Sequence, residues 1–339
     1  MRVNIAIGYR ALQTQDAGSN AYNVAIGAEA GYAITTGVRN TLIGGLAGDA
    51  ITEGLYNIAI GYQALGANVD SDSNVAIGYS ALALMTGTAG NTYNTAVGHQ
   101  AGEQVTTGIQ NTLIGGLAGD ALTTGGYNTA LGYAALSTED TGQYNTAIGR
   151  GALQALDADN AYNVAVGYNA GNTMSTGAQN TIIGGLAGDA LTTGIENIAI
   201  GYNALGTEDT GNRSTAIGAG ALATQNNDAS NYNVAVGYNA GTAVTTGTLN
   251  TLVGGEAGDS LTTGSRNVAV GTSALSTEDA YGRNVAVGYA ALLTQNADAD
   301  AYNVAVGYTA GTAMTTGTLN TLIGGLAGDA LTTGSGSVA

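Results

Sequence analysis

Three Glu-Asp pairs recur along this 339-residue chain, at Glu139-Asp140, Glu208-Asp209 and Glu278-Asp279. Paired carboxylates can act as general acid and base, or cleave a glycoside, when they face each other across a cleft. Carboxylate oxygens on corners also suit calcium, as do the aspartates of five Ala-Gly-Asp triplets, Asp49, Asp120, Asp189, Asp259 and Asp329. The rest of the composition argues against chemistry. Cys and Lys are absent and His99 is the single histidine, so the usual nucleophile–base pairs cannot be assembled. The Glu-Asp turn returns at intervals of 69 and 70 residues, and an active site has no reason to recur. The expectation is therefore no catalytic residue, no cofactor and no resident metal. The five aspartates are weak calcium candidates; as turn formers that bond their own backbone they need no ion. The glycine-rich nonapeptide of calcium-binding β-rolls is missing, and no Gly-Lys-Ser/Thr marks a phosphate loop.

What must position any such group is a repeat. A block of about seventeen residues, Asn-x-Ala-(Ile/Val)-Gly-x-x-Ala, occurs nineteen times between Asn4 and Asn320, and such a period predicts a solenoid. With the Asn as position 1, position 4 is always aliphatic, position 5 always Gly and position 8 always Ala. Asn23, Gly27 and Ala30 form one such set, Asn128, Gly132 and Ala135 another, and Asn303, Gly307 and Ala310 a third. These are read as a structural ladder, with stacked Asn amides bonding from coil to coil. Positions 2 to 4, β-branched or small and bounded by Gly, predict a short strand that stacks in parallel on its neighbours. Nineteen coils at ~4.8 Å would make a rod roughly 90 Å long. The fold expected is all-β: a parallel β-solenoid or β-roll filling residues 1–339 as one shaft, without linker or capping domain.

A slower period overlies the first. Four coil types form super-repeats that open at Asn4, Asn74, Asn145, Ser214 and Asn284. The first type carries variable inserts, such as Gln13 to Ala21, Gln154 to Ala161 and Gln225 to Asn231. In the first and fourth types position 9 is Leu (Leu12, Leu65, Leu136, Leu292) and position 12 is usually polar. In the second and third, position 9 is Gly (Gly31, Gly48, Gly258) and position 12 is large and apolar (Ile34, Ile51, Leu261). This reads as one large core side chain per coil, drawn from either of two places. Coils opening at Asn74 and Asn145 depart from the rule, with Leu82 and Met85, and Leu153 and Leu156, both large.

Glycine is abundant (56) and proline absent, which under strict periodicity excludes collagen and disordered linkers and suits stacked strands that need every N–H. The net charge of −17 disfavours nucleic acid and anionic membrane, and no apolar run reaches a membrane span. The acids are spread along the chain and read as solvated corners. Along the strand, positions 2 and 4 share one face and positions 1, 3 and 5 the other, and both are largely apolar. One face can line the coil; the other would need a neighbour, since an aliphatic stripe nineteen coils long exceeds what a monomer exposes. A homo-oligomer is expected, most simply a trimer of parallel coils, or a longer polymer.

The same residues carry a family resemblance. Asn128 to Leu136 and Asn197 to Leu205, of the form Asn-x-Ala-(Ile/Leu)-Gly-Tyr-x-Ala-Leu, resemble the repeats of phage tail-fibre proteins. The pattern is also similar to the Ser-Val-Ala-Ile-Gly repeats of YadA-type trimeric autotransporter heads. The resemblance covers essentially the whole chain and implies left-handed β-rolls in a trimeric fibre that reaches towards a host surface. It departs from those families in showing no chaperone module, stalk, anchor or signal peptide. Asn4 opens a coil at once and Ser337-Val338-Ala339 breaks one off, so the chain reads as a segment of something longer. The function expected is a non-enzymatic fibre shaft of a virion, projecting a host-recognition tip. The alternatives are a bacterial surface adhesin head, outside the cell, or a self-assembling extracellular filament. An ice-binding array is disfavoured because Thr123-Thr124 and Thr262-Thr263 sit in turns.

Tyrosine offers the surface chemistry. Of 19, eight precede the Asn (Tyr22, Tyr56, Tyr127, Tyr302 among them) and nine occupy position 6. Tyr9, Tyr79, Tyr168 and Tyr308 of that second group are candidates for recognising a cell-surface glycan or protein, being apolar rings with a polar tip. Stacking on one another is the simpler role. His99 stands where other copies carry Tyr.

Overall fold

The computed structural model describes residues 3–18, 20–87 and 89–339. Met1, Arg2, Ser19 and Thr88 lie outside the described residues, including Ser19 of the first insert. Among the described residues there is no helix, and the strands belong to parallel ladders. The chain divides into two compact units, Met1–Tyr168 and Asn169–Ala339.

The first unit stacks ten three-residue strands, Ile5–Ile7, Val24–Ile26, Thr41–Ile43, Ile58–Ile60, Val75–Ile77, Thr95–Val97, Thr112–Ile114, Thr129–Leu131, Thr146–Ile148 and Val164–Val166. Each pairs in parallel with the next, so that like positions lie over one another: Ala25 faces Leu42 and Ala59 faces Ala76. An insert adds a side pairing, Ser71–Asp72 on Gly90–Asn91. The second unit repeats the construction with nine strands, from Thr181–Ile183 to Thr321–Ile323. Positions 2 to 4 form the strand in every coil, and the nineteen coils make an all-β parallel β-solenoid.

Two backbone features close each coil. The position-5 Gly adopts φ of +141° at Gly27 and +135° at Gly115. A Cβ there would collide with the carbonyl of the corresponding glycine one coil on, Gly44 or Gly132, so no side chain fits. Positions 7 and 9 then turn left-handed, at Glu29 (φ 57°) and Leu65 (φ 53°) among others. A non-glycine residue in that region costs about 1–2 kcal/mol. The repeat accepts this cost many times over, and the inter-coil ladder offsets it.

The interior is narrow and lined by alanine. Position-3 Ala25, Ala59 and Ala130 and position-8 Ala30, Ala64 and Ala135 are all fully buried. The strand's inward face is thus Asn-Ala-Gly, and the aliphatic positions 2 and 4 point outward. Gly at position 9 creates space: a Cβ on Gly31 would sit 2.7 Å from Leu42 Cδ1 and 3.0 Å from both Ile34 Cδ1 and Leu12 Cδ2. The position-3 Leu of the third coil type and the apolar position 12 fill that space together.

The rule of one large core residue per coil does not hold. Position 12 points inward in all four coil types. In the first and fourth types it is buried alongside the position-9 Leu, as Met85, Leu156, Gln225 and Gln295, or as Asn68, Glu139, Glu208 and Glu278. The coils with Leu82 and Met85, or Leu153 and Leu156, are therefore not overfilled exceptions. They place an apolar side chain where sister coils bury an amide or a carboxylate.

Candidate functional site

The carboxylates fall into two environments. The Asp of each Glu-Asp pair lies near the surface, whereas Glu139, Glu208 and Glu278 have no solvent-exposed surface at all. For these three the expectation of solvated corners is overturned. Position 12 is an interior position, and the coil closes over the side chain. Glu208 is surrounded by donors: Gly211 N–H at 2.8 Å, Asn227 N–H at 3.3 Å, Gln225 Nε2 at 2.8 Å and Asn231 Nδ2 at 3.1 Å. Glu139 receives two backbone bonds, from Gly142 at 2.7 Å and Ala158 at 3.3 Å, and the next coil offers Leu156 in place of an amide. Burial, opposed by those two bonds and reinforced by Asp157 and Asp140, pushes its carboxyl up to about 7. Burial likewise takes Glu278 up to about 7. Tyr281 N–H donates to its Oε1 at 3.3 Å and the Ala297 backbone opposes the shift more weakly, while the Nε2 of Gln295 lacks a partner. With no exposed surface, none of the three presents a reacting atom to a substrate.

The five Ala-Gly-Asp aspartates are not brought together. Asp49, Asp120 and Asp189 each accept a bond from their own N–H, and burial raises their carboxyls. Asp259 accepts from Ser276 Oγ, and Asp329 is exposed. The acidic group within ligand reach among the described residues is instead Glu139, Asp140 and Asp157, whose oxygens lie within 4.8 Å of one another. Sequence reading missed it because Asp157 comes from the following insert. A usable signal existed: Glu139 falls at the position that holds Leu122 one coil earlier.

The Asn ladder combines two bonds. Each Asn Oδ1 accepts the backbone N–H of the next coil's Asn, as Asn23 does for Asn40 (2.8 Å) and Asn111 for Asn128 (3.0 Å). In coils of the second, third and fourth types its Nδ2 donates to a turn carbonyl fourteen residues on, closing its own coil: Asn23 to Gly37 and Asn128 to Gly142, both 2.8 Å, and Asn303 to Gly317, 2.7 Å. In the first type Asn4 donates to Gln15 instead, and the Nδ2 of Asn145 and of Asn284 has no partner. Amide-on-amide bonds, the form expected, occur in addition at some steps, such as Asn320 to Asn303 at 3.1 Å.

The outward face is apolar and edged by rings. Ile58, Leu131, Ile183 and Ile198 are among the exposed aliphatics, with the other position-2 and position-4 residues largely half-buried. On one side the pre-Asn column stacks Tyr127, Tyr144 and Tyr162 at 5.1 and 4.9 Å between centroids. On the other, position 6 stacks Tyr62, Tyr79 and His99 at 5.8 and 5.1 Å, so the lone histidine serves as a ring in a column. Tyr9, Tyr79, Tyr168 and Tyr308 are all exposed in this column. No protein-family model matches the sequence, and no curated protein matches it.

Proposed function

We propose that this chain is a non-enzymatic fibre shaft, from a phage tail fibre or similar virion appendage, that self-associates as a homotrimer and projects a host-recognition tip. The observation that carries the reading is the orientation of the strand. Its Asn-Ala-Gly side fills the coil, while Val/Ile/Thr at position 2 and Ile/Val at position 4 face out coil after coil in each unit. A periodic aliphatic surface of this kind is stabilised by burial against an identical surface, and in-register repeats supply the same complement at every coil. The phage-fibre resemblance of Asn128 to Leu136 and Asn197 to Leu205 supports the same reading. The buried glutamates and isolated aspartates support a structural rather than catalytic use of the acids.

The absence of native cysteine gives a clean test. Ile148→Cys places a thiol on the outward stripe, and Thr141→Cys places one on an exposed corner. Oxidation should link Ile148→Cys chains covalently and leave Thr141→Cys chains single; equal linking in both would refute association through this face. The virion assignment is tested by the genes flanking the complete reading frame. Tail genes are expected; a secretion signal with a coiled-coil stalk would transfer the reading to a surface adhesin.

A further inference from the structure

In the first coil type the position-6 column carries Tyr9, Tyr79, Arg150, Ala219 and Tyr289 in successive super-repeats, and those variants amount to a natural substitution series. Tyr79 stands there between Tyr62 and His99, completing a stack. Arg150 stands there between Tyr133 and Tyr168, its guanidinium carbon 5.9 Å from one ring centroid and 5.7 Å from the other. In the second unit the residue is Ala219, between Tyr202 and Tyr238. No side chain fills the gap, and a recess of about 280 Å³ opens there. The two flanking rings are 64% and 61% exposed, more than the stacked Tyr62 and Tyr79 at 47% and 48%, and Tyr238 matches Tyr308, which stacks on one side only. At ~4.8 Å per coil the two rings are roughly 10 Å apart. A planar cation midway between them lies ~5 Å from each ring, within cation–π range.

We infer that the slot over Ala219 is a binding site for a guanidinium group, the arginine side chain of a partner peptide, held between Tyr202 and Tyr238. Three observations select guanidinium over a neutral ring. The floor is the arginine version of the site: Ala219 is followed by Gly220 and the next coil carries Asn239, just as Arg150 is followed by Gly151 and the next coil carries Asn169. The three tyrosine versions carry Arg10 and Glu29, Ser80 and Gln100, or Ala290 and Thr309 at those positions. The side-chain amide oxygen Oδ1 of Asn239 lies over Gly220, presenting an acceptor to a donor fork. Finally, the chain's −17 charge attracts a cation to a site whose walls are π faces. The slot lies wholly within the second unit, and this inference does not rest on the fibre reading.

The test is an NMR titration of the full chain with N-acetylargininamide, with N-acetyllysinamide and N-acetyltyrosinamide as comparators. Arginine is expected to bind with a roughly millimolar Kd and to be preferred about tenfold over both. Ala219→Tyr, which copies Tyr79, should fill the slot and weaken arginine binding by about tenfold or more. Should that variant not fold, Tyr202→Ala and Tyr238→Ala, each removing a largely exposed ring, should each weaken binding severalfold. Lysine binding as well as arginine, preference for the tyrosine probe, no arginine binding, or unchanged binding in the variants would each overturn the assignment.

Discussion

The two faces of one three-residue strand obey different rules. Inward, Asn111, Leu113 and Gly115 are held by hydrogen bonds, close packing and a carbonyl that leaves no room for a Cβ. Outward, Thr112 and Ile114 remain half-exposed in the single chain. The inward face therefore specifies the coil, and the outward face is free to specify what the coil meets. An alternating β-strand permits this division because its side chains project to opposite sides at successive residues.

The sharpest way to break the contrast is at the backbone. Gly115→Val must place a branched side chain at φ +135° against the Gly132 carbonyl, and should cost about 3 kcal/mol or more, read as a large fall in Tm. Asn111→Ala comes next. It strips the acceptor from the Asn128 N–H and the donor from the Gly125 carbonyl, and should cost about 2–4 kcal/mol in chemical denaturation. A loss below about 0.5 kcal/mol would show that the ladder is ornamental.

A smaller effect separates the buried glutamates. Glu139 and Glu278 bind protons more tightly when folded, near 7, than the ordinary carboxyl at 4.5. The folded state thus holds extra protons between those values, so stability should fall as pH rises from about 4.5 through about 7, then level off. Melting curves at pH 5 and pH 8 should show the higher Tm at pH 5, and Glu139→Gln with Glu278→Gln should flatten the difference. Leu156→Gln sharpens the comparison with Glu208, because it gives Glu139 the amide that Gln225 supplies to Glu208. It should reduce the pH slope; an unchanged slope would mean that the neighbouring amide is irrelevant. Smallest of all, Ile183→Thr with Ile198→Thr on the outward face should leave the folding of a lone chain within about 0.5 kcal/mol, while weakening association.

Much of this was legible in the sequence because periodicity reports backbone geometry. The Asn-x-Ala-Ile-Gly spacing located the nineteen strands of the main ladder, though not the side pairing of Ser71–Asp72 with Gly90–Asn91, and the invariant position-8 alanine marked the interior. The inward direction of position 12 was less legible, since Glu139 in Ser-Thr-Glu-Asp has the composition of a solvated turn. Only alignment with Leu122 and Leu156 in adjacent coils reveals a core position. The open slot at Ala219 was hidden for a different reason. An alanine carries no chemistry of its own, and the site exists only through rings that sit one coil before and one coil after it.

We propose that the outward aliphatic face is an interface between copies of this chain. Sedimentation equilibrium of the intact chain tests it most directly. A trimer of about 100 kDa, three times the 33.2 kDa chain, is expected, falling towards monomer when Ile183 and Ile198 are both threonine. A stable monomer of 33.2 kDa at micromolar concentration, with its aliphatic stripe left in water, would contradict it.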